Sequence, residues 1–253
     1  MYETGLNRGY RRSSRLWRRR RPARRGYAAL AGTVAAAVIT GWMATGPGAN
    51  HSVSAGATPA VSADLNALLA QTVTVNAIPH VSGYERGCGV NKKTGLKEGC
   101  VFGPAWNDPT DHSGCDTRSR VLRAQLQDVT FKPGTRECKP ISGWLIDPYT
   151  GQRITLQQTN IDHIYPLARA WDAGAWRWDL RQRQIFANDV SNLVAVSAAA
   201  NQQKSDSGLD GWLPSDPHDR CNYARQYLST AVKYKLEITS GDRAAAMTAC
   251  GGT

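Results

Sequence analysis

Six cysteines limit the folds open to this chain more than any other feature of its sequence. No two of them form a Cys-x-x-Cys pair, so a zinc ribbon is poorly supported. An even number in an exported chain predicts three disulfides that staple a loop-rich domain. Six cysteines allow fifteen connectivities. Closure of the shortest loops favours Cys88–Cys100, Cys115–Cys138 and Cys221–Cys250.

The N-terminus supplies the export signal that this prediction needs. Residues 1–25 hold ten arginines and a single acid, Glu3, and the twenty residues from Tyr27 to Gly46 are uncharged and rich in Ala and Val. This order predicts a secretory segment or a marginal transmembrane helix, with the arginines on the cytoplasmic side. A basic arm that binds nucleic acid does not explain the uncharged stretch. The rest of the chain is therefore expected to be secreted, or anchored outside the cytoplasm if the segment is not cleaved.

The formal net charge of +11 belongs to this leader rather than to the folded part. The leader carries ten of the 31 basic residues and one of the 20 acidic residues, so the remaining chain holds 21 basic and 19 acidic residues. The high isoelectric point is therefore no evidence for a DNA-binding surface.

The composition divides the chain into three parts. Residues 1–46 are the basic leader and apolar segment, residues 47–61 form a linker of small and polar residues, and residues 62–253 form one domain whose first helix Ser62 would cap. Residues 84–118 predict disulfide-stapled loops. Beyond them, residues 117–131 predict a helix or a helix that runs into a strand, and short strands and helices alternate to the end. The fold class is α+β.

An aspartate and a histidine lie side by side in the apolar, strand-like run NIDHI (residues 160–164). Two helix-like segments follow, then a short strand that begins at Asn192, then a helix that Ser197 caps and that carries Asn201. This order is typical of a ββα-metal core, in which a strand hairpin packs on a helix and a metal is held between them. Asn188 also lies in the connection, so the identity of the middle asparagine is open. The nine residues from Asn192 to Asn201 suit a strand, a turn and one helical turn, and favour Asn192.

These residue types suit phosphodiester hydrolysis. Histidine is the base that titrates near neutral pH, so His163 is predicted to take a proton from water, with a pKa near 6.5 if it is unperturbed. Asp162 and Asn201 offer the hard oxygens that one Mg²⁺ ion prefers, with Mn²⁺ as the alternative. Asn192 is predicted to hold the backbone or the imidazole near His163.

At these positions the sequence resembles the HNH nucleases, in an Asp-His … Asn … Asn form of their motif. It resembles more closely the secreted bacterial HNH proteins related to the C-terminal nuclease domain of GmrSD-type restriction enzymes. The blocks that carry this resemblance are YERGC, CVFGPAWND, GCDTRSRVL, GWLIDPYTG, RQIFANDVSNL, WLP and RCNYARQYL, and the resemblance extends over residues 62–250. It implies a ββα-metal fold, one divalent metal and products with 5′-phosphate and 3′-hydroxyl ends. Residues 87–100 resemble an insertion closed by its own disulfide.

The sequence also departs from the family pattern. Asn201 stands where the family name implies a histidine, and the connection from His163 to Asn192 is long for a hairpin. Lys204, three residues after Asn201, could contact a phosphate, although a solvated lysine is the commoner case. Arg118 could contact phosphate or pair with Asp116, and the sequence favours neither.

Two classes of function remain. The first is an exported, metal-dependent nuclease that cleaves DNA, with RNA as a second substrate. The second is a non-catalytic exported binding or envelope protein that keeps the fold. The intact set of Asp162, His163, Asn192 and Asn201 favours the first. A zinc hydrolase of another type is weaker, because no second His or Cys ligand is well placed. Membrane contact is expected only through an uncleaved N-terminal segment, and no protein partner is evident.

Overall fold

The computed structural model describes residues 59–251. The predicted leader and nearly all of the predicted linker lie outside the described residues. The first described helix, α1, begins at Pro59, three residues before Ser62, so the prediction that Ser62 caps it is wrong. Proline suits the first turn of a helix, where its missing N–H leaves no hydrogen bond unmade. Within residues 59–251 no helix is long and apolar enough to cross a membrane.

Helices and short strands alternate along the chain, as the α+β prediction required. The helices are α1 (Pro59–Gln71), α2 (Thr117–Gln125), α3 (Leu167–Asp172), α4 (Leu180–Ala187), α5 (Ala198–Lys204), α6 (Arg220–Tyr234) and α7 (Ser240–Ala249). The strands are β1 (Val73–Val75), β2 (Gln127–Phe131), β3 (Pro140–Ile146), β4 (Arg153–Thr155), β5 (Thr159–His163), β6 (Leu193–Ser197) and β7 (Glu237–Thr239). Single 3₁₀ turns cover Leu156–Gln158, Ala175–Arg177 and Val190–Asn192.

The described strands form three small sheets. β2, β3 and β4 make an antiparallel sheet, β1 and β7 a parallel pair, and β5 and β6 an antiparallel pair. In the β5–β6 pair, Asp162 lies opposite Val194 and His163 opposite Leu193. The helix α5 follows β6 without a loop, because the Ser197 side chain caps it by accepting a hydrogen bond from the Ala200 N–H (3.2 Å).

Two hydrophobic cores flank the β5–β6 pair. Alternate residues of a strand point to opposite faces, so Leu193 and Ala195 enter the smaller core, with residues of α2, β3 and β4, while Val196 enters the larger core. The larger core also contains residues of α1, α3, α4, α6 and α7. The strand pair that carries Asp162 and His163 is therefore fixed from both sides.

Three disulfides close the loops, with the pairing that the shortest-loop argument favours. They are Cys88–Cys100, Cys115–Cys138 and Cys221–Cys250, and no cysteine of the described residues is free. The first closes residues 88–100, the second links the start of α2 to the loop between β2 and β3, and the third links α6 to the end of α7. The prediction of a disulfide-stapled domain is confirmed.

Candidate active site

Asp162 and His163 form the end of β5 and line one cleft of about 370 Å³. Both side chains are largely buried, with 6% of each residue exposed. Asn201 of α5 lines the same cleft, and its side chain makes no hydrogen bond with another described residue. The structure therefore brings these three predicted site residues together, with the amide of Asn201 free to take a ligand.

The carboxylate of Asp162 is held by two buried side chains. The Tyr149 hydroxyl donates to Oδ2 over 2.6 Å, and the Lys204 ammonium lies 2.9 Å from Oδ2 and 3.2 Å from Oδ1. Lys204 also donates to the backbone carbonyl of His163 (2.8 Å). Burial raises the pKa of Asp162, and the charge of Lys204 opposes that rise. These contacts fix the orientation of the carboxylate beside the cleft.

Lys204 does not occupy the position that the sequence suggested. Its side chain is 0% exposed and forms a buried ion pair with Asp162, so its ammonium is not presented to a phosphate in the cleft. Burial lowers its pKa, and the carboxylate works against that shift. The prediction that Lys204 binds substrate is not supported, because its charge is already used inside the protein.

Arg118 also lies away from the cleft. Its guanidinium donates to the backbone carbonyl of Thr159 (3.3 Å), at the opposite end of β5 from His163. Asp116 makes no ion pair with it and instead caps α2, accepting from the Ser119 N–H (2.6 Å). The structure therefore supports neither alternative for Arg118, phosphate contact or pairing with Asp116.

The imidazole of His163 is fixed in one orientation. Its Nε2 atom lies 2.9 Å from the carbonyl oxygen of Ala187, the last residue of α4. A carbonyl can only accept, so Nε2 carries the proton and Nδ1 keeps the free electron pair in the neutral ring. The indole of Trp106 stacks over the imidazole, with ring centroids 6.1 Å apart and an angle of 13° between the planes.

Burial lowers the pKa of His163 to about 3, and the positive charge of Arg86 adds to that shift. The imidazole is therefore neutral over the physiological pH range, whereas the unperturbed residue would titrate near neutral pH. A neutral ring with a free Nδ1 can accept a proton without first losing one.

Asn192 and Asn188, the two candidates for the middle asparagine of the motif, make different hydrogen bonds. Asn192 is fully buried and holds the backbone of Tyr165: its Oδ1 accepts from the Tyr165 N–H (2.7 Å) and its Nδ2 donates to the Tyr165 carbonyl (3.1 Å). Asn188 ends α4 and donates to the carbonyls of Gln184 (2.9 Å) and Asn107 (3.2 Å). Neither side chain contacts the imidazole, so both act on the backbone around it.

Several cleft residues were missed by sequence reasoning. Tyr84, Arg86 and Asp206 line the cleft, and Tyr149 and Trp106 contact Asp162 and His163. Tyr84 and Arg86 lie in the block YERGC, and Tyr149 lies in the turn DPYTG. The resemblance drew attention to these two segments, but no spacing between motif residues showed that they lie beside β5.

The donor atoms around the cleft suit a hard cation better than zinc. Among residues 59–251 no cluster of three His, Cys, Asp or Glu side chains is arranged to hold a metal. The residues that line the cleft include two carboxylates, Asp162 and Asp206, and the amide of Asn201. Magnesium is commonly held by one or two carboxylates together with water and substrate phosphate. The residues present therefore fit a magnesium-like ion.

Comparison with known proteins identifies the family to which the chain belongs. Residues 116–249 match the family described as GmrSD restriction endonucleases, C-terminal domain. An "Uncharacterized secreted protein" of Arthroderma benhamiae is 39% identical over 134 residues, which are 52% of this chain and 64% of the relative. The chain thus spans less than two thirds of the length of that relative. No solved structure matches the chain. The cleft residues Asp162, His163 and Asn201 lie inside the matched region.

Proposed function

Because this chain belongs to the family of GmrSD restriction endonuclease C-terminal domains, an HNH-type nuclease family, we propose that it is an exported endonuclease. It hydrolyses phosphodiester bonds of DNA, with RNA as a second substrate, and depends on one divalent metal. Export is supported by the secreted relative, by the three disulfides and by the leader sequence.

The geometry of His163 is the observation that carries this proposal. The backbone carbonyl of Ala187 holds the Nε2 proton, so the free electron pair lies on Nδ1. We assign Nδ1 as the atom that takes the proton from the attacking water. The Trp106 ring lies nearly parallel to the imidazole, and His163 is buried. The chain thus supplies a base of fixed tautomer and orientation.

Asp162 and Asn201 would hold the metal, in a ββα-metal arrangement of β5, β6 and α5. Mg²⁺, or Mn²⁺ as the alternative, would supply charge neutralisation at the phosphate and the leaving oxygen. Lys204 and Tyr149 orient the Asp162 carboxylate through their contacts with its oxygens. Asn192 acts as a positioning residue, because its two hydrogen bonds to Tyr165 fix the chain immediately after His163.

Cleavage assays with metal control test the proposal. The secreted protein, incubated with plasmid DNA and with RNA, should cleave in Mg²⁺ or Mn²⁺ and stop in EDTA. His163→Ala should lose activity, while the matched control His112→Ala, which changes an exposed histidine outside the cleft, should keep it. A parent protein that binds nucleic acid but cleaves neither substrate with either metal would instead support the non-catalytic binding protein.

A further inference from the structure

A narrow antiparallel hairpin, residues 85–101, projects beside the cleft and is called here the stapled hairpin. The disulfide Cys88–Cys100 closes its base. Four backbone hydrogen bonds of 2.8–3.0 Å join its arms, from the N–H groups of Val101, Cys100, Glu98 and Asn91 to the carbonyls of Glu85, Gly87, Gly89 and Leu96. The covalent link and the hydrogen bonds give this segment a defined shape, whereas a loop of its glycine content would otherwise sample many conformations.

The stapled hairpin carries three exposed lysines, Lys92, Lys93 and Lys97. Its two acids hold the hairpin itself: Glu98 accepts from the Asn91 side chain (3.1 Å), and Glu85 accepts from the backbone N–H of Gly99. Among the described residues no carboxylate forms an ion pair with any of the three lysines. Residues 85–101 hold four basic residues, Arg86 and the three lysines, and two acidic residues, so the hairpin carries a net formal charge of +2.

The base of the hairpin borders the cleft. Arg86, at the base of the hairpin, lines the cleft together with Asp162 and His163. Lys92 lies six positions after Arg86, so the arm between them spans at most about 20 Å if fully extended. That distance corresponds to about six nucleotides of a duplex strand, at a rise of about 3.4 Å each.

Apolar side chains accompany the lysines. Val90 and Leu96 are 64% and 70% exposed and belong to neither hydrophobic core. Lysine side chains contact the phosphates of a nucleic acid, and Val90 and Leu96 lie beside them in the same hairpin. The hairpin precedes residue 116, where the family match begins.

We propose that the stapled hairpin is a nucleic-acid track: Arg86 contacts a phosphate in the cleft, and Lys92, Lys93 and Lys97 contact phosphates further along the same strand. The inference rests on the proposed nuclease function and adds how the substrate is held. The three lysines contribute only to substrate binding, and phosphodiester hydrolysis takes place in the cleft.

Removal of the three lysine charges tests the track in the full secreted protein. The variant K92Q/K93Q/K97Q is compared with K132Q/R136Q/K139Q, which removes the same number of exposed charges from the loop between β2 and β3. The dissociation constant for a labelled DNA duplex is measured in EDTA across a salt series. The hairpin variant should bind roughly 10- to 100-fold more weakly at low salt, with a salt slope smaller by about 2–3. The control variant should bind like the parent.

Two further measurements separate binding from chemistry. The hairpin variant should hydrolyse bis(p-nitrophenyl) phosphate, which is too small to reach the lysines, as fast as the parent, and should keep the parent kcat at saturating DNA. Equal binding by the hairpin variant and the parent, or equal weakening in both variants, would overturn the track. So would a variant that loses only its affinity for anionic lipid vesicles. If the parent binds through the hairpin but never cleaves, the nuclease proposal fails and the track stands.

Discussion

The Nε2 atom of His163 lies 2.9 Å from the carbonyl oxygen of Ala187, although 24 residues separate the two in sequence. This one contact selects the tautomer of the imidazole, because a carbonyl accepts a hydrogen bond and cannot donate one. It joins the end of β5 to the end of α4. The long excursion between the two strands therefore has a function at the site, which is to return a backbone acceptor to the histidine.

The burial of His163 predicts how stability depends on pH. The folded-state pKa is about 3, below the ordinary value of about 6.5, so the unfolded chain binds a proton at higher pH than the folded chain does. The contribution of neutral His163 to the free energy of unfolding is fully present above pH ~6.5. It decreases as the pH drops toward ~3, by up to about 1.4 kcal/mol per pH unit. In EDTA, the parent should lose about 2 kcal/mol more than His163→Gln between pH ~7 and ~5.

Urea unfolding at several pH values measures this difference. Burial raises the pKa of Asp162, but this carboxyl group is present in both proteins, so its contribution is subtracted in the comparison. A free-energy difference between parent and variant that stays constant over this range would show that His163 is not buried in its neutral form.

Trp106 should hold the imidazole of His163 in its orientation and limit its contact with water. In Trp106→Ala the imidazole gains water, so its pKa should rise toward the ordinary value, and kcat should fall by roughly ten-fold as orientation is lost. Trp106→Phe should restore most of the rate because it keeps an aromatic face. An NMR titration of the imidazole gives the pKa, and Trp176→Ala, at a more exposed indole outside the cleft, is the control. An unchanged pKa in Trp106→Ala would argue against this role.

Lys204 should contribute far more to stability than a surface lysine in a similar pair. Lys204→Met leaves the buried Asp162 carboxylate without its charge partner and should cost about 3–5 kcal/mol. Lys233→Met breaks the Lys233–Asp189 pair, whose lysine side chain is 53% exposed, and should cost about 1 kcal/mol or less. Chemical denaturation measures both variants. Similar losses in the two would contradict the buried ion pair.

Asn192 should act through the backbone of Tyr165. Asn192→Ala leaves the buried N–H and carbonyl of Tyr165 without these partners, so stability should fall by about 2–4 kcal/mol, and kcat should fall while the affinity for metal stays near that of the parent. Asn188→Ala serves as the comparison and decides which asparagine is the middle motif residue. A larger loss of kcat in Asn188→Ala than in Asn192→Ala would assign the role to Asn188.

The sequence predicted local structure well and long-range contacts poorly. The cap at Ser197, the adjacent pair on β5 and the closing helices follow from local patterns, and the three disulfides follow from loop length. The burial of Lys204 against Asp162 does not, because helix periodicity placed it on the same face as Asn201 without showing that this face packs on β5. Arg86 and Trp106 reach the site from a loop whose path depends on the tertiary fold, so the sequence did not show that they lie beside His163.

The most direct test of the account is the single-turnover rate of DNA cleavage by His163→Ala at saturating Mn²⁺, measured beside its affinity for Mn²⁺. If His163 is the base and Asp162 and Asn201 hold the metal, the rate should fall by roughly 10²- to 10⁴-fold, with Mn²⁺ affinity near that of the parent. Asp162→Ala should lose both the cleavage rate and the affinity for Mn²⁺. A folded His163→Ala protein that cleaves as fast as the parent would contradict the assignment of His163 as the base.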